Sequence, residues 1–202
     1  MSLVIVAEEM ITLGSGDLTS HYERFLGAID AGWRADADGR SVPFQVARYS
    51  GVIAGGTAFT TLGLSGWELK SRSSEKTIRL ELMMLVGSTL QSNTIPGLLQ
   101  QVGLETIESN SALLRGDVIG PRGKLFAGSN MDALYVAAPV YLPDEFAICE
   151  TEAGPTVTCW VVPISHDEAH FVIQEGWSRF EDRLVELNPD LVDVMRPSLF
   201  SS

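Results

Sequence analysis

The chain has 202 residues, with 14 Lys and Arg against 26 Asp and Glu, giving a net charge of −12 with neutral histidines. Its length suits one domain at the usual ~150 residues each, and 45% hydrophobic residues exclude wholesale disorder. The acidic balance argues against a nucleic-acid partner, because holding phosphate needs clustered Lys and Arg.

In chain order, the start reads Met1-Ser2-Leu3-Val4-Ile5-Val6-Ala7-Glu8-Glu9. It has no basic segment and its apolar run ends in acid, so it is not a secretory signal. Residues 1–16 read as an N-terminal extension, and 17–202 as the folded domain. The cytoplasm is the default location, where Cys149 and Cys159 stay reduced.

Asp17 to Asp30 places Leu18, Tyr22, Phe25, Leu26 and Ile29 on one face, which predicts an amphipathic helix with Asp17 as its N-cap. The stretch Asp36-Ala37-Asp38-Gly39 reads as a loop. Phe44 to Tyr49 and Thr57 to Leu64 read as strands separated by Gly51, Gly55 and Gly56. Ile78 to Leu82 alternates before the apolar run Met83 to Val86, so the strand ends buried. Leu82 to Leu104 lacks charges, but its many Ser, Thr, Asn and Gln residues and Pro96 argue against a membrane span. Instead, Pro96 suits the first turn of a helix reaching about Ile107, with Gly103 a weak point.

Gly116 to Gly128 predicts a loop or irregular hairpin. Leu134 to Val140 and Thr156 to Val162 read as strands, with Pro139, Pro143 and Pro163 at their ends. One helical region follows from Ser165, with Ala169, Val172, Gly176, Phe180, Leu184 and Leu187 along a stripe, and Asn188-Pro189 stops it. Helices bracketing a run of strands predict an α+β single domain, with a mostly antiparallel or mixed sheet packed against helices.

Several motifs invite a chemical reading. His166 and His170, at i and i+4, could chelate a metal and support a metal-dependent hydrolase. The zinc-protease pattern needs Glu directly after the first His, and here that residue is Asp167. His21 is the only other histidine. Ser165 and Glu168 fit a capping box instead, and this reading is preferred. Arg115-Gly116-Asp117 reads as a turn, and the two cysteines as buried inert thiols. Gly14-Ser15-Gly16-Asp17 lacks a phosphate-loop lysine and reads as a loop with an N-cap. Trp160 and Trp177 fit core positions. Trp33 and Trp67 fall near loops or strand ends, where an aromatic can anchor a partner. Beside them, Asp36, Asp38 and Glu68 complete a candidate partner-binding set. No catalytic residue, metal or cofactor is assigned.

Three segments together carry a family resemblance. They are Cys159 to Glu168 followed by Arg196-Pro197-Ser198, Thr61 to Ser65 followed by Arg79 to Leu82, and His21 to Gly27. Their order and spacing resemble the suppressor-of-fused-like domain over residues 17 to 199. A Gly-His pair frequent after the family's central helix is replaced here within Gly116-Asp117-Val118-Ile119-Gly120. The resemblance implies a non-enzymatic module that binds a protein or peptide. Animal members regulate Hedgehog signalling and hold a transcription factor through an extended peptide, while free-standing bacterial members resemble predicted toxin-immunity proteins. For this chain it implies a bacterial immunity or sequestering protein, monomer or homodimer, with a basic toxin domain as a candidate partner and no nucleic acid or membrane.

Overall fold

The computed structural model describes residues 16–87 and 94–200. Gly16 and Asp17 are already helical, so the expected loop does not reach Asp17 and Asp17 is not the N-cap; Gly14, Ser15 and Ser88 to Asn93 lie outside the described residues.

Helix α1 spans Gly16–Leu26. Leu18, Tyr22 and Leu26, each four residues apart, are fully buried, which is the apolar stripe a surface helix needs. The helix is shorter than its periodicity suggests. Ile29 and Asp30 open strand β1, Ile29–Ala35. The strand pairs with the next one through two register shifts, between Ile29 and Ala31 and between Trp33 and Ala35, so that Ile29 packs on one core and Trp33 on the other, and this pairing wins over the helical pattern.

Strand β2, Ser41–Ile53, runs through Gly51 and turns into β3, Gly56–Leu62. The connection is Ala54-Gly55, both at positive φ (49° and 79°), matching the twist of a two-residue hairpin. Leu64 leaves the strand for a short 3₁₀ turn, Leu64–Gly66. The two-residue β4, Leu69–Lys70, then pairs with the start of β5, Thr77–Gly87. Helix α2 covers Thr94–Ser109. Val118–Ile119 forms β6 inside the predicted irregular stretch, and β7 is Met131–Ala137. A four-residue β8, Ile148–Thr151, had no sequence counterpart.

Strand β9, Gly154–Ser165, passes through Pro163 rather than ending there. Its pairing with β5 stops at Met83 opposite Trp160, while pairing with β7 continues to Ser165. Above Trp160 it is an edge toward β5, where a missing N–H is tolerated. The last helical region is two helices, α3 (His166–Glu175) and α4 (Trp177–Leu187). Gly176 at φ 90° breaks the chain between them, a conformation that only glycine adopts freely. Asn188 closes α4 in the left-handed region, as a C-cap should.

Among the described residues the strands form one nine-stranded mixed sheet in the order β1, β2, β3, β5, β9, β7, β6; β4 and β8 extend it beside β5 and β9. The β5–β9 pair is parallel and the other named pairs are antiparallel. Both faces are covered. Met83, Leu85, Trp160 and Val162 join α1, α3 and α4 in one core. Leu80, Leu82, Met84 and Val161 join α2 in the other. A central strand buried on both sides must be apolar throughout, which explains the uninterrupted Met83 to Val86. The fold is an α+β single domain.

Among the described residues, no helix is long and apolar enough to cross a membrane.

Candidate functional site

The loop that carries Trp67 and Glu68 is held by two side chains of β5. Glu81 is fully buried. One carboxylate oxygen accepts from the Gly63 amide at 2.9 Å, the Ser65 amide at 3.0 Å and the Ser65 hydroxyl at 2.7 Å. The other accepts from the Thr61 hydroxyl at 2.6 Å and the Leu64 amide at 3.2 Å. Thr61 Oγ1 in turn accepts from the Leu82 amide at 2.8 Å. Burial pushes the Glu81 carboxyl upward, and the hydrogen bonds from Thr61, Ser65 and Gly63 oppose that shift. Gly63 sits at φ 104°, the freedom needed to aim three consecutive amides at one carboxylate.

Two residues earlier on β5, Arg79 grips the same loop. It donates to the Ser65 and Gly66 carbonyls at 2.9 and 3.2 Å and to Glu68 at 2.9 Å. Sequence reading grouped Thr61 to Ser65 with Arg79 to Leu82 but gave no reason for the pairing. The reason is this clamp, which fixes the backbone ahead of Trp67. Trp67 itself is half-buried and packs on the α2-side core.

Trp33 lies in β1 opposite Val46, not in a loop. Its ring is half-buried, 6.1 Å from Phe59, against the same core as Trp67. The two tryptophans therefore share one side of the sheet. Asp36 shapes the β1–β2 turn by accepting from the amides of Asp38 and Arg40 at 2.9 and 2.8 Å. Asp38 pairs with Arg40 at 3.0 Å. Gln100 of α2 donates to the Ala35 carbonyl at 3.1 Å, tying this turn to the α2 layer. All five candidate residues stand on well-supported backbone. The three acidic ones are all already engaged within the chain.

The histidine pair does not gather ligands. His166 and His170 are exposed, and His166 faces Asp132 at 3.5 Å. His21 is elsewhere, on α1, bonded to the Phe146 carbonyl at 3.1 Å. Among the described residues, no three His, Cys, Asp or Glu side chains come together as a metal site. The donor set thus fails to support the hydrolase reading. The capping box is present instead: the Glu168 amide donates to Ser165 Oγ at 3.3 Å, and the Ser165 amide to Glu168 at 2.9 Å.

Glu168 does more than cap. It is buried and forms a two-pronged ion pair with buried Arg196, one N–O distance being 2.9 Å. It also accepts from the Leu199 amide at 3.0 Å, while Ser165 meets Ser198 at 2.9 Å. The segment Cys159 to Glu168 with Arg196-Pro197-Ser198 is therefore a lock between the start of α3 and the C-terminal tail. Cys149 and Cys159 are both buried, and burial pushes the Cys159 thiol up to about 12. Trp160 is core. Trp177 is not: it is 43% exposed, with the Arg115 guanidinium 4.9 Å above its ring. It follows the Gly176 break, so the stripe of one continuous helix does not apply to it.

Similar folds and sequences place this geometry among known proteins. A homolog of suppressor of fused from Neisseria gonorrhoeae FA 1090 superposes with a TM-score of 0.70 at 15% identity, covering 92% of this chain and 96% of that one. A chain of a Sufu–Fu complex gives 0.68 at 16% identity, covering 91% of this chain and 89% of that one. Drosophila Suppressor of Fused gives 0.66 at 16% identity, covering 91% of this chain and 50% of that one. No curated protein sequence matches. The family model for the suppressor of fused protein matches residues 41–197, a span holding both the β5 clamp and the Glu168–Arg196 lock, and the chain belongs to the suppressor of fused family.

Proposed function

We propose that this chain is a non-enzymatic protein- or peptide-binding module, working as a bacterial immunity protein that neutralises a toxin or sequesters a partner. The observation that carries the reading is the family match over residues 41–197. A related structure is a complex of Sufu with Fu, a precedent for protein binding on this fold. The site agrees. A clamped loop presents Trp67 and Glu68, Trp33 shares its side of the sheet, and a pre-set backbone loses little entropy on docking. The charge of −12 steers a basic partner and repels nucleic acid. The protein works in the cytoplasm and needs no cofactor.

Co-expression with the product of the neighbouring reading frame tests the proposal. A complex that survives size-exclusion chromatography supports it. Absence of any complex, together with turnover of a small substrate, overturns it. Trp67→Ala should weaken the complex at least tenfold. Because Trp67 is only half-buried, it should cost about 1–2 kcal/mol of stability, below the 3–5 of a core tryptophan. Collapse of the fold would instead make Trp67 a core residue.

A further inference from the structure

Glu81 anchors the loop that carries Trp67, and its charge has no counter-ion. The side chain is fully buried, and among the described residues no Lys, Arg or His forms an ion pair with it. Its five donors are all neutral: the Gly63, Leu64 and Ser65 amides and the Thr61 and Ser65 hydroxyls. Burying a charge without an ionic partner is costly, and neutral donors offset only part of that. Arg79, two residues back on β5, is turned to the loop instead, donating to the Ser65 and Gly66 carbonyls and to Glu68. Thr158 of β9 lies opposite Glu81 and meets the Tyr22 hydroxyl of α1 at 2.9 Å. Tyr49 of β2 meets Thr60 of β3 at 2.9 Å. Burial raises both phenols, the Glu81 charge adds to the rise, and both stay neutral. Residues Gly63 to Gly66 carry no ionisable side chain.

The clamp can accept a proton without coming apart. The Ser65 hydroxyl lies 2.7 Å from one Glu81 oxygen, and Ser65 is only half-buried. A hydroxyl can turn from donor to acceptor, which an amide cannot. A protonated Glu81 can therefore donate to Ser65 Oγ while the three amides still face its oxygens. The loop then closes over a neutral acid instead of a buried ion.

When the loop opens, Glu81 meets water, where a glutamate has its ordinary acidity of about 4.3. When it is closed, burial raises the carboxyl, and the Thr61, Ser65 and Gly63 hydrogen bonds offset part of the rise. The closed loop thus binds a proton more tightly than the open loop. Acid favours closure, and this part of the hold is lost as pH rises through the closed-loop value.

We propose that the Glu81 clamp is a pH-sensitive latch on the Trp67 loop, tightening when Glu81 takes up a proton and loosening when it ionises. Its use in regulating partner docking rests on the binding-module reading, but its test needs no partner.

Hydrogen exchange of the full chain across pH 4.5 to 8, corrected for the intrinsic rate at each pH, reads the latch directly. As pH rises, protection at residues 63–68 should fall at least about threefold more than at residues 158–162 of β9. Glu81→Gln should remove this difference. A carboxyl carbon titration by NMR should place Glu81 above the ordinary glutamate range. That titration needs no variant and decides alone if Glu81→Gln unfolds the loop. Protection at residues 63–68 that is flat or rises with pH overturns the proposal. So does a Glu81 carboxyl that titrates at or below its ordinary value. A latch that responds in a chain without any protein partner stands while the binding-module reading falls. A flat latch in a chain that binds its partner does the reverse.

Discussion

Glu81 shows how one buried charge can organise a surface. Its two oxygens take five donors from residues Thr61 to Ser65. Glu81→Ala would strand those donors, at a cost of roughly 1–3 kcal/mol for each buried group left without a partner. The expected result is a loss of about 3 kcal/mol or more in urea unfolding, with hydrogen exchange in residues 63–68 accelerated before global unfolding. Unchanged exchange there would mean the loop holds itself. Cys159 makes the opposite case, a reactive group silenced by its place. Its thiol is pushed up to about 12 by burial and by the nearby charge of Asp117. Thiolate, the reactive form, is therefore scarce near neutrality. Alkylation of the native protein by iodoacetamide should rise steadily with pH through 10 without levelling off, and become fast only on unfolding. A plateau near pH 8 would show an accessible, ordinary thiol. The sequence could place Glu81 and Arg196 within meaningful segments, but not reveal that each clamps a distant stretch. That information lies in contacts 16 to 20 positions away for Glu81 and 28 and 33 positions away for Arg196.

At the scale of elements, what is written locally was legible. The stripe of α1, the apolar run of β5 and the Ser165 capping box all depend on residues within a few positions of one another. What was missed depended on a competing pattern or on a partner element. The helical spacing of α1 extends by chance over Ile29, while pairing with β2, with two register shifts, makes Ile29 to Ala35 an edge strand. Gly176 looked like one small residue in a stripe, yet its positive φ splits the helix and turns Trp177 outward. Gly103 was read as a weak point of α2, and the structure explains why glycine stands there. A Cβ would lie 2.4 Å from the ring of buried Phe44. Gly103→Ala should gain helix propensity of about 1 kcal/mol and still lose about 1–3 kcal/mol net from overpacking. A second change, Phe44→Leu, should recover part of the melting temperature lost. A net gain from Gly103→Ala alone would show that the ring moves aside freely.

At the scale of the whole molecule, one mixed sheet separates two cores, and the candidate partner surface lies with one of them. Trp33 and Trp67 pack on the core shared with α2, while Phe180 and Leu184 of α4 pack on the opposite one. Composition foretold the charge but not its concentration in residues 143–202, nor that the Trp33 set would sit on the more neutral part of the chain. Among the candidate residues, Asp38 and Glu68 are partly balanced by Arg40 and Arg79. Association driven by surplus charge should weaken as salt rises, because exposed charges are screened over about 8 Å at physiological ionic strength. The most direct measurement is a calorimetric titration of this chain with the protein encoded beside it, at low and at high salt. The account predicts a saturable complex whose affinity falls with added salt. Heat no greater than that of dilution at either salt concentration would contradict it.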